Sequence, residues 1–263
     1  MIRRSLCVFL VLLVGCASGP HIDTRYTAKG QDSRARFLII HYTAGGFQGS
    51  LKWLTEGPVS SHYLVNDNPV AIYGLVDDSR RAYHAGVSYW KGNTQLNASS
   101  IGIEIVNLGS KKTPDGPQWF EFPSAQIDAV IALVKKIVKE HGITPDRVLA
   151  HSDIAPQRKP DPGPRFPWNR LADEGLVQWP DAGEVMRRRP AFEAQLPDAA
   201  WFQRNLAQHG FLVPLNGELD KETRNVITAF QMKYRPANFD GTPDAETAAL
   251  LDVLNSPSVA TQR

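Results

Sequence analysis

The strongest constraint on the fold is a change of hydrophobic period along the chain. Phe37-Leu38-Ile39-Ile40 is an apolar run too short for a helix, so it reads as a buried strand. Ile101-Gly102-Ile103-Glu104-Ile105-Val106 alternates in part and reads as another. Between them, Ser61-His62-Tyr63-Leu64-Val65 and Ala71-Ile72-Tyr73-Gly74-Leu75-Val76 form a strand pair around the polar turn Asn66-Asp67-Asn68-Pro69. The period then becomes helical. From Ser124, read as an N-cap, the residues Ile127, Val130, Ile131, Val134, Ile137 and Val138 trace one face until Gly142 ends it. Arg147-Val148-Leu149-Ala150 returns to strand. Strands and helices interleaved from 37 to about 180 imply an α/β body, a sheet with helices packed against it.

Composition excludes several classes. With 42% hydrophobic and 21% charged residues in 263, the chain is neither disordered nor of low complexity. A net charge of +2 is too balanced for gripping nucleic acid by bulk charge. The two cysteines, Cys7 and Cys16, both precede the folded body, which rules out a disulfide framework or a thiolate zinc finger there.

The first fifteen residues read as a leader. Met1-Ile2-Arg3-Arg4 is cationic, and the apolar run from Leu6 to Val14 is far shorter than the roughly 20 residues a bilayer span needs. Leu13-Val14-Gly15-Cys16 resembles a bacterial lipobox, which implies cleavage before Cys16 and acylation of that cysteine. An ordinary secretory signal cut near Ala17 is the alternative. Losing Arg3 and Arg4 would bring the net charge to zero, so attachment would rest on acyl chains rather than basic attraction. Ala17 after the cysteine implies, by the same resemblance, an outer-membrane lipoprotein facing the periplasm.

Residues 16–36 read as a polar tether, 37–180 as the main domain, and 181–197, with Arg187-Arg188-Arg189-Pro190, as a linker. Residues 198–258 read as helical and carry an echo: Gly217-Glu218-Leu219-Asp220-Lys221-Glu222-Thr223 recurs as Gly241-Thr242-Pro243-Asp244-Ala245-Glu246-Thr247. In each copy the aspartate can cap a helix, and acids in its first turn suit the helix dipole. With Phe202-Gln203 before the first copy and Phe230-Gln231 between the two, this segment resembles a small three-helix peptidoglycan-binding domain. A generic helical cap packed on the main domain is the alternative.

Candidate chemistry gathers at strand ends. His41 follows the first strand and His151 follows Val148–Ala150, positions from which a sheet aims side chains into a common cleft. After His151 the chain holds prolines at 156, 160, 162, 164 and 167, which restrict the loop that carries Lys159 and Asp161. Two imidazoles and a carboxylate suit zinc, and three protein ligands leave a fourth position open for water. Spacing alone does not select these ligands from the seven histidines at 21, 41, 62, 84, 141, 151 and 209.

A resemblance carried by ordered motifs points to two of them. His41-Tyr42-Thr43, Ser60-Ser61-His62-Tyr63-Leu64, Tyr83-His84-Ala85-Gly86, Ile101-Gly102-Ile103-Glu104, and His151-Ser152-Asp153-Ile154 through Lys159-Pro160-Asp161-Pro162-Gly163 appear in sequence. Over about 37–175 they resemble the zinc-dependent N-acetylmuramoyl-L-alanine amidases of the amidase-2 (AmpD/AmiD) type, relatives of the peptidoglycan recognition proteins. The resemblance implies a central mixed β-sheet flanked by helices, with the small three-helix domain following. It implies one Zn2+ on His41, His151 and Asp161, Glu104 as general base and acid, and Lys159 beside the developing oxyanion. Peptidoglycan and muropeptides would be the substrates, cut between the lactyl group of N-acetylmuramic acid and L-alanine. Arg81 and His84 are candidate substrate contacts. His62 reads as a structural hydrogen-bonder, His141 as a helix-end cation, and Trp90 as a possible wall of a sugar groove. Two other functions stay open: a non-catalytic peptidoglycan scaffold, which has no need of Glu104 and Lys159 together with an open metal site, and a zinc peptidase acting within the stem peptide.

Overall fold

A computed structural model describes residues 19–256, apart from His21 and Asp115. The leader, its cleavage site and Cys16 lie outside the described residues. Residues up to Asp32 form a unit of their own, and the folded body begins at Ser33.

Its elements begin with β1 (Phe37–Tyr42), α1 (Phe47–Glu56), β2 (Tyr63–Asp67) and β3 (Val70–Gly74). The short α2 (Leu96–Ser99) runs straight into β4 (Ser100–Ile105), and a separate hairpin follows, β5 (Ser110–Thr113) and β6 (Gly116–Trp119). Then come α3 (Ser124–His141), β7 (Val148–Ala150), α4 (His151–Ile154) and α5 (Trp168–Asp173). The chain closes with α6 (Ala182–Ala194), α7 (Ala199–His209), α8 (Lys221–Tyr234) and α9 (Ala245–Asn255). The main sheet has the order β3-β2-β4-β1-β7, parallel throughout except for the antiparallel β2–β3 hairpin. It is the mixed sheet that the motifs implied.

Both faces of this sheet are buried, which is why β1 shows no polar alternation. Leu38, Ile40, Ile101, Ile103 and Ile105 pack against Val130, Val134 and Ile137 of α3. Phe37, Ile39 and Leu149 belong to a second core, shared with Phe202, Leu206 and Phe230 of the C-terminal helices. Those helices therefore cover the sheet rather than hang from it. α3 ends as its sequence implies: Gly142 adopts φ 66° and returns its N–H to Val138 O. At its start, Pro123 takes the cap position and Ser124 is the first helical residue, with no side-chain cap bond.

The stretch 181–197 is corrected by the structure. It is largely α6, capped by Asp181 Oδ1, which accepts from Glu184 N at 2.8 Å. None of its residues is fully buried, so no apolar stripe marked it. Arg188, which looked like linker charge, donates to Asp252 Oδ2 at 2.7 Å and Ser256 Oγ at 2.6 Å, tying α6 to α9 and its end.

The echoed motif has a mechanical explanation. Asp220 caps α8 by accepting from Thr223 N at 2.7 Å, and Asp244 caps α9 by accepting from Thr247 N at 2.8 Å. A buried glutamine closes each copy. Gln203 accepts from Gly217 N and donates to Thr223 Oγ1, while Gln231 accepts from Gly241 N and donates to Thr247 Oγ1.

Candidate active site

Parallel strands deliver the site residues from their carboxyl ends, where open α/β sheets bind ligands. His41 lies opposite Glu104 in the β1–β4 register, so both side chains project from the same face of the sheet. That face also carries Gly102, and its missing side chain is required: a Cβ there would sit 2.5 Å from the His84 ring. β7 ends at Ala150, and His151 opens α4 directly behind it. The proline-rich loop brings Asp161 back, held by Ser152 N donating to Asp161 O at 2.9 Å.

Three atoms converge. His41 Nδ1 and His151 Nδ1 are 2.9 Å apart, and Asp161 Oδ2 lies 3.1 Å from the first and 3.0 Å from the second. The surrounding bonds fix the protons. Ser100 Oγ donates to Leu96 O, so it accepts from His84 Nε2 at 3.2 Å. His84 Nδ1 is then an acceptor, taking the proton of His41 Nε2 at 3.0 Å. On the other side, His151 Nε2 faces the carbonyl of Ala85 at 3.2 Å and must donate to it. Both Nδ1 atoms are left as bare lone pairs aimed at each other and at a carboxylate. Three acceptors with no donor among them call for a cation at their centre, and two nitrogens with one carboxylate oxygen match zinc's preferences.

The electrostatics agree. Burial, then the neighbouring His151, pushes His41 down to about 4, so it is neutral at neutral pH and its contact with Asp161 is not an ion pair between opposite charges. Burial also drives His84 well below its usual value. For Asp161 burial acts upward, and only a proton on His151 or His41 outweighs it and holds the carboxyl below the ordinary range; a cation at the same centre would act with the same sign. Glu104 goes the other way: burial, then the charge on Asp161, raises it well above the usual carboxylate value, with Lys159 opposing. Its Oε2 is shut from solvent and has no hydrogen-bond partner among the described residues. An unpaired buried carboxylate oxygen is costly, and such costs persist where function needs them.

His84, Glu104, His151 and Asp161 line a cleft of about 510 Å³, whose walls include Thr43, Trp53, Tyr83 and the exposed Lys159, while His41 is buried. Of the two candidate substrate contacts, Arg81 stays outside the cleft, its guanidinium 4.9 Å from the ring of Tyr83. His84 reaches the cleft but is buried, and its ring serves His41 and Ser100. His62 is structural, bonded to Arg34, Arg80 O and Gly102 N. Trp90 is no groove wall: it is 2% exposed and packs edge-on against His209 and Phe211. Sequence reasoning missed Arg158, which donates to the carbonyls of Ala85 and Val87 and steadies the acceptor of His151. No spacing signal marks that role, because its partners are backbone atoms.

A larger depression, about 860 Å³, holds a second possible ligand set, Asp78, Glu140 and His141. Most of its donor atoms are engaged, Asp78 Oδ1 excepted. Asp78 Oδ2 accepts from Tyr63 at 2.9 Å, Glu140 pairs with Lys136 at 2.7 Å, and His141 Nδ1 bonds to Ser33 Oγ at 2.7 Å. The convergence of bare acceptors singles out the His41 site.

A deprotonatable acid beside an acceptor-only pocket at the edge of a parallel sheet is the equipment of a hydrolase. Comparison with known proteins gives the class: residues 31–164 match the N-acetylmuramoyl-L-alanine amidase family, and the chain belongs to it. Residues 195–251 match a peptidoglycan-binding domain. The chain is 43% identical over 260 residues to N-acetylmuramoyl-L-alanine amidase AmiD of Escherichia coli K12, spanning 93% of this chain and 94% of that protein. It is 40% identical over 155 residues to the 1,6-anhydro-N-acetylmuramyl-L-alanine amidase AmpD of Enterobacter cloacae, which is 58% of this chain and 70% of that one. Among solved structures, the E. coli AmiD complex with anhydro-N-acetylmuramic acid-L-Ala-D-γ-Glu-L-Lys superposes with a TM-score of 0.80 at 42% identity, covering 90% of this chain and 94% of the other. AmpDh3 of Pseudomonas aeruginosa with anhydromuramic pentapeptide gives 0.82 at 39% identity, covering 89% and 97%.

Proposed function

We propose that this chain hydrolyses the amide between the lactyl group of N-acetylmuramic acid and L-alanine of the peptidoglycan stem peptide, in cell-wall turnover. The observation that carries it is the unpaired Oε2 of Glu104, in register with His41 and above a pocket of bare acceptors. A receptor has no use for such an oxygen; a hydrolase does.

His41, His151 and Asp161 would hold one zinc ion, which supplies a Lewis acid to polarise the carbonyl and to acidify a water molecule. Glu104 takes the proton of the attacking water and passes it to the departing amine of L-alanine, a role worth roughly 10²–10⁴ in rate. Its raised proton affinity suits the second half of that task, since the amine must leave protonated. Lys159, on the cleft wall, places a cation beside the carbonyl oxygen as it gains negative charge. His84 and the Ala85 carbonyl hold the two imidazoles in the tautomer that leaves Nδ1 free.

The proposal extends to the cell. The basic start, the short apolar run and Leu13-Val14-Gly15-Cys16 support lipid attachment through Cys16 and residence at the periplasmic face of the outer membrane. Product analysis tests the chemistry. The wild type should release free stem peptides from muropeptides, seen by mass spectrometry. Glu104→Ala should keep near-stoichiometric zinc and lose most turnover, whereas Asp161→Ala should lose both. Cleavage within the stem peptide instead would reassign the enzyme to a peptidase.

A further inference from the structure

We infer that Asn97, on the short helix α2, is a positioning residue for the metal pocket: one side-chain oxygen orients both imidazoles by fixing the two groups that hold them. This rests on the amidase reading above. His41 is oriented by the ring of His84, and His151 by the carbonyl of Ala85. These two partners are consecutive in the chain, so whatever fixes their backbone fixes the two Nδ1 lone pairs together.

Asn97 supplies that fixture. His84 N donates to Asn97 Oδ1 at 3.0 Å, and Ala85 N donates to the same oxygen at 2.7 Å. Two converging N–H donors require the oxygen, rather than the amide nitrogen, at this position. Neither N–H has another acceptor among the described residues, and both residues are buried. The two N–H groups belong to the peptide planes on either side of the His84 Cα, so one oxygen sets the direction in which that side chain leaves the backbone. The next plane carries the Ala85 carbonyl, which Arg158 steadies from the other side.

The support is itself anchored. Leu96 is buried in the core it shares with Phe37, Ile39 and Ala85. Its carbonyl accepts from Ser100 Oγ, the hydroxyl that also receives His84 Nε2. The junction of α2 and β4 therefore grips His84 twice, at its backbone and at the outer nitrogen of its ring. The same strand carries Glu104, so the acid and the support of the pocket share one rigid segment. Both bonds to Asn97 use its oxygen alone, so aspartate can replace asparagine and alanine cannot.

The test separates orientation from folding. Asn97→Ala removes the acceptor, Asn97→Asp keeps it, and Ser99→Ala alters the same turn without touching residues 84 and 85. Asn97→Gln, which moves the oxygen out by one methylene, is the second loss variant where Asn97→Ala does not fold. Zinc affinity is measured by chelator competition well below each Tm, and amide hydrogen exchange at His84 and Ala85 is followed in the metal-free proteins. We expect Asn97→Ala to weaken zinc roughly 10- to 100-fold and to speed exchange at both amides. Asn97→Asp should restore affinity to within about threefold, and Ser99→Ala should stay within about twofold. The visible spectrum of the cobalt-loaded protein, which reports ligand geometry, should shift in Asn97→Ala and return in Asn97→Asp. A loss variant that lowers Tm but leaves zinc affinity and the cobalt spectrum unchanged overturns the assignment, as does an equal loss in Asn97→Asp or Ser99→Ala. Zinc binding by the wild type without release of stem peptides overturns the amidase reading alone, and the metal measurements still judge Asn97. A wild type that binds no zinc overturns both.

Discussion

Lys233 offers the sharpest test of how the two modules cooperate. It lies on α8, yet its Nζ donates to Asp153 Oδ2 at 2.7 Å and to Val148 O at 3.3 Å, and stands 4.5 Å from the ring of Trp168. The two side chains are 3% and 1% exposed. Asp153 belongs to α4, the turn that opens with His151, the proposed zinc ligand. Its Oδ2 also accepts from Ala150 N at 2.8 Å, and its Oδ1 has no partner among the described residues. Lys233→Met keeps most of the packing volume but leaves a buried carboxylate uncompensated, at a cost of about 3–5 kcal/mol. For a chain of this size that is a fall in Tm of roughly 6–20 °C. The double variant Lys233→Met/Asp153→Leu removes both charges and should recover much of the loss, because paired deletion spares the desolvation penalty. Thermal unfolding of the four proteins completes a double-mutant cycle, and zinc competition reads the effect on His151. A single-variant cost under about 1 kcal/mol, or a double-variant cost equal to the sum of the singles, would refute the reasoning.

Glu104→Gln should make the metal-free protein more stable while abolishing turnover. The folded carboxyl titrates well above its usual 4.5, so the unfolded chain ionises first and folding loses stability as pH rises between the two values. The gain in Tm should therefore be a few degrees at about pH 8 and vanish at about pH 4; a gain at low pH alone would contradict the sign. Gly102→Ala should displace the His84 ring and weaken zinc binding with little change to the sheet, which a chelator titration and far-UV circular dichroism together can show. Cys16→Ser should shift the protein from the detergent-extracted membrane fraction to the soluble one.

Much of the site is legible in the sequence because the chemistry sits in contiguous motifs at strand ends. His41, Glu104, His151 and Asp161 each adjoin a recognisable run, and the structure clusters His41 with His151 and Asp161 and sets it in register with Glu104. α3 is legible for a similar local reason, its apolar offsets matching one helical face. What the sequence hides is relational. An all-apolar run such as Phe37–Ile40 shows burial on both faces but not what covers each, so the C-terminal helices read as a separate body. α6 reads as linker because its stability comes from an N-cap and ion pairs rather than from buried side chains. The role of His84 depends on the space left above Gly102, a contact between residues 18 apart that no periodicity encodes.

The common core beneath β1 also limits how this chain can be cut or recombined. A version ending near residue 180 would bare Phe37, Ile39, Leu149 and Ile154 to water and strand Asp153 without its lysine. Such a fragment should aggregate rather than survive as a minimal enzyme, and a foreign tail grafted in its place would have to bring both a matching apolar surface and a buried cation.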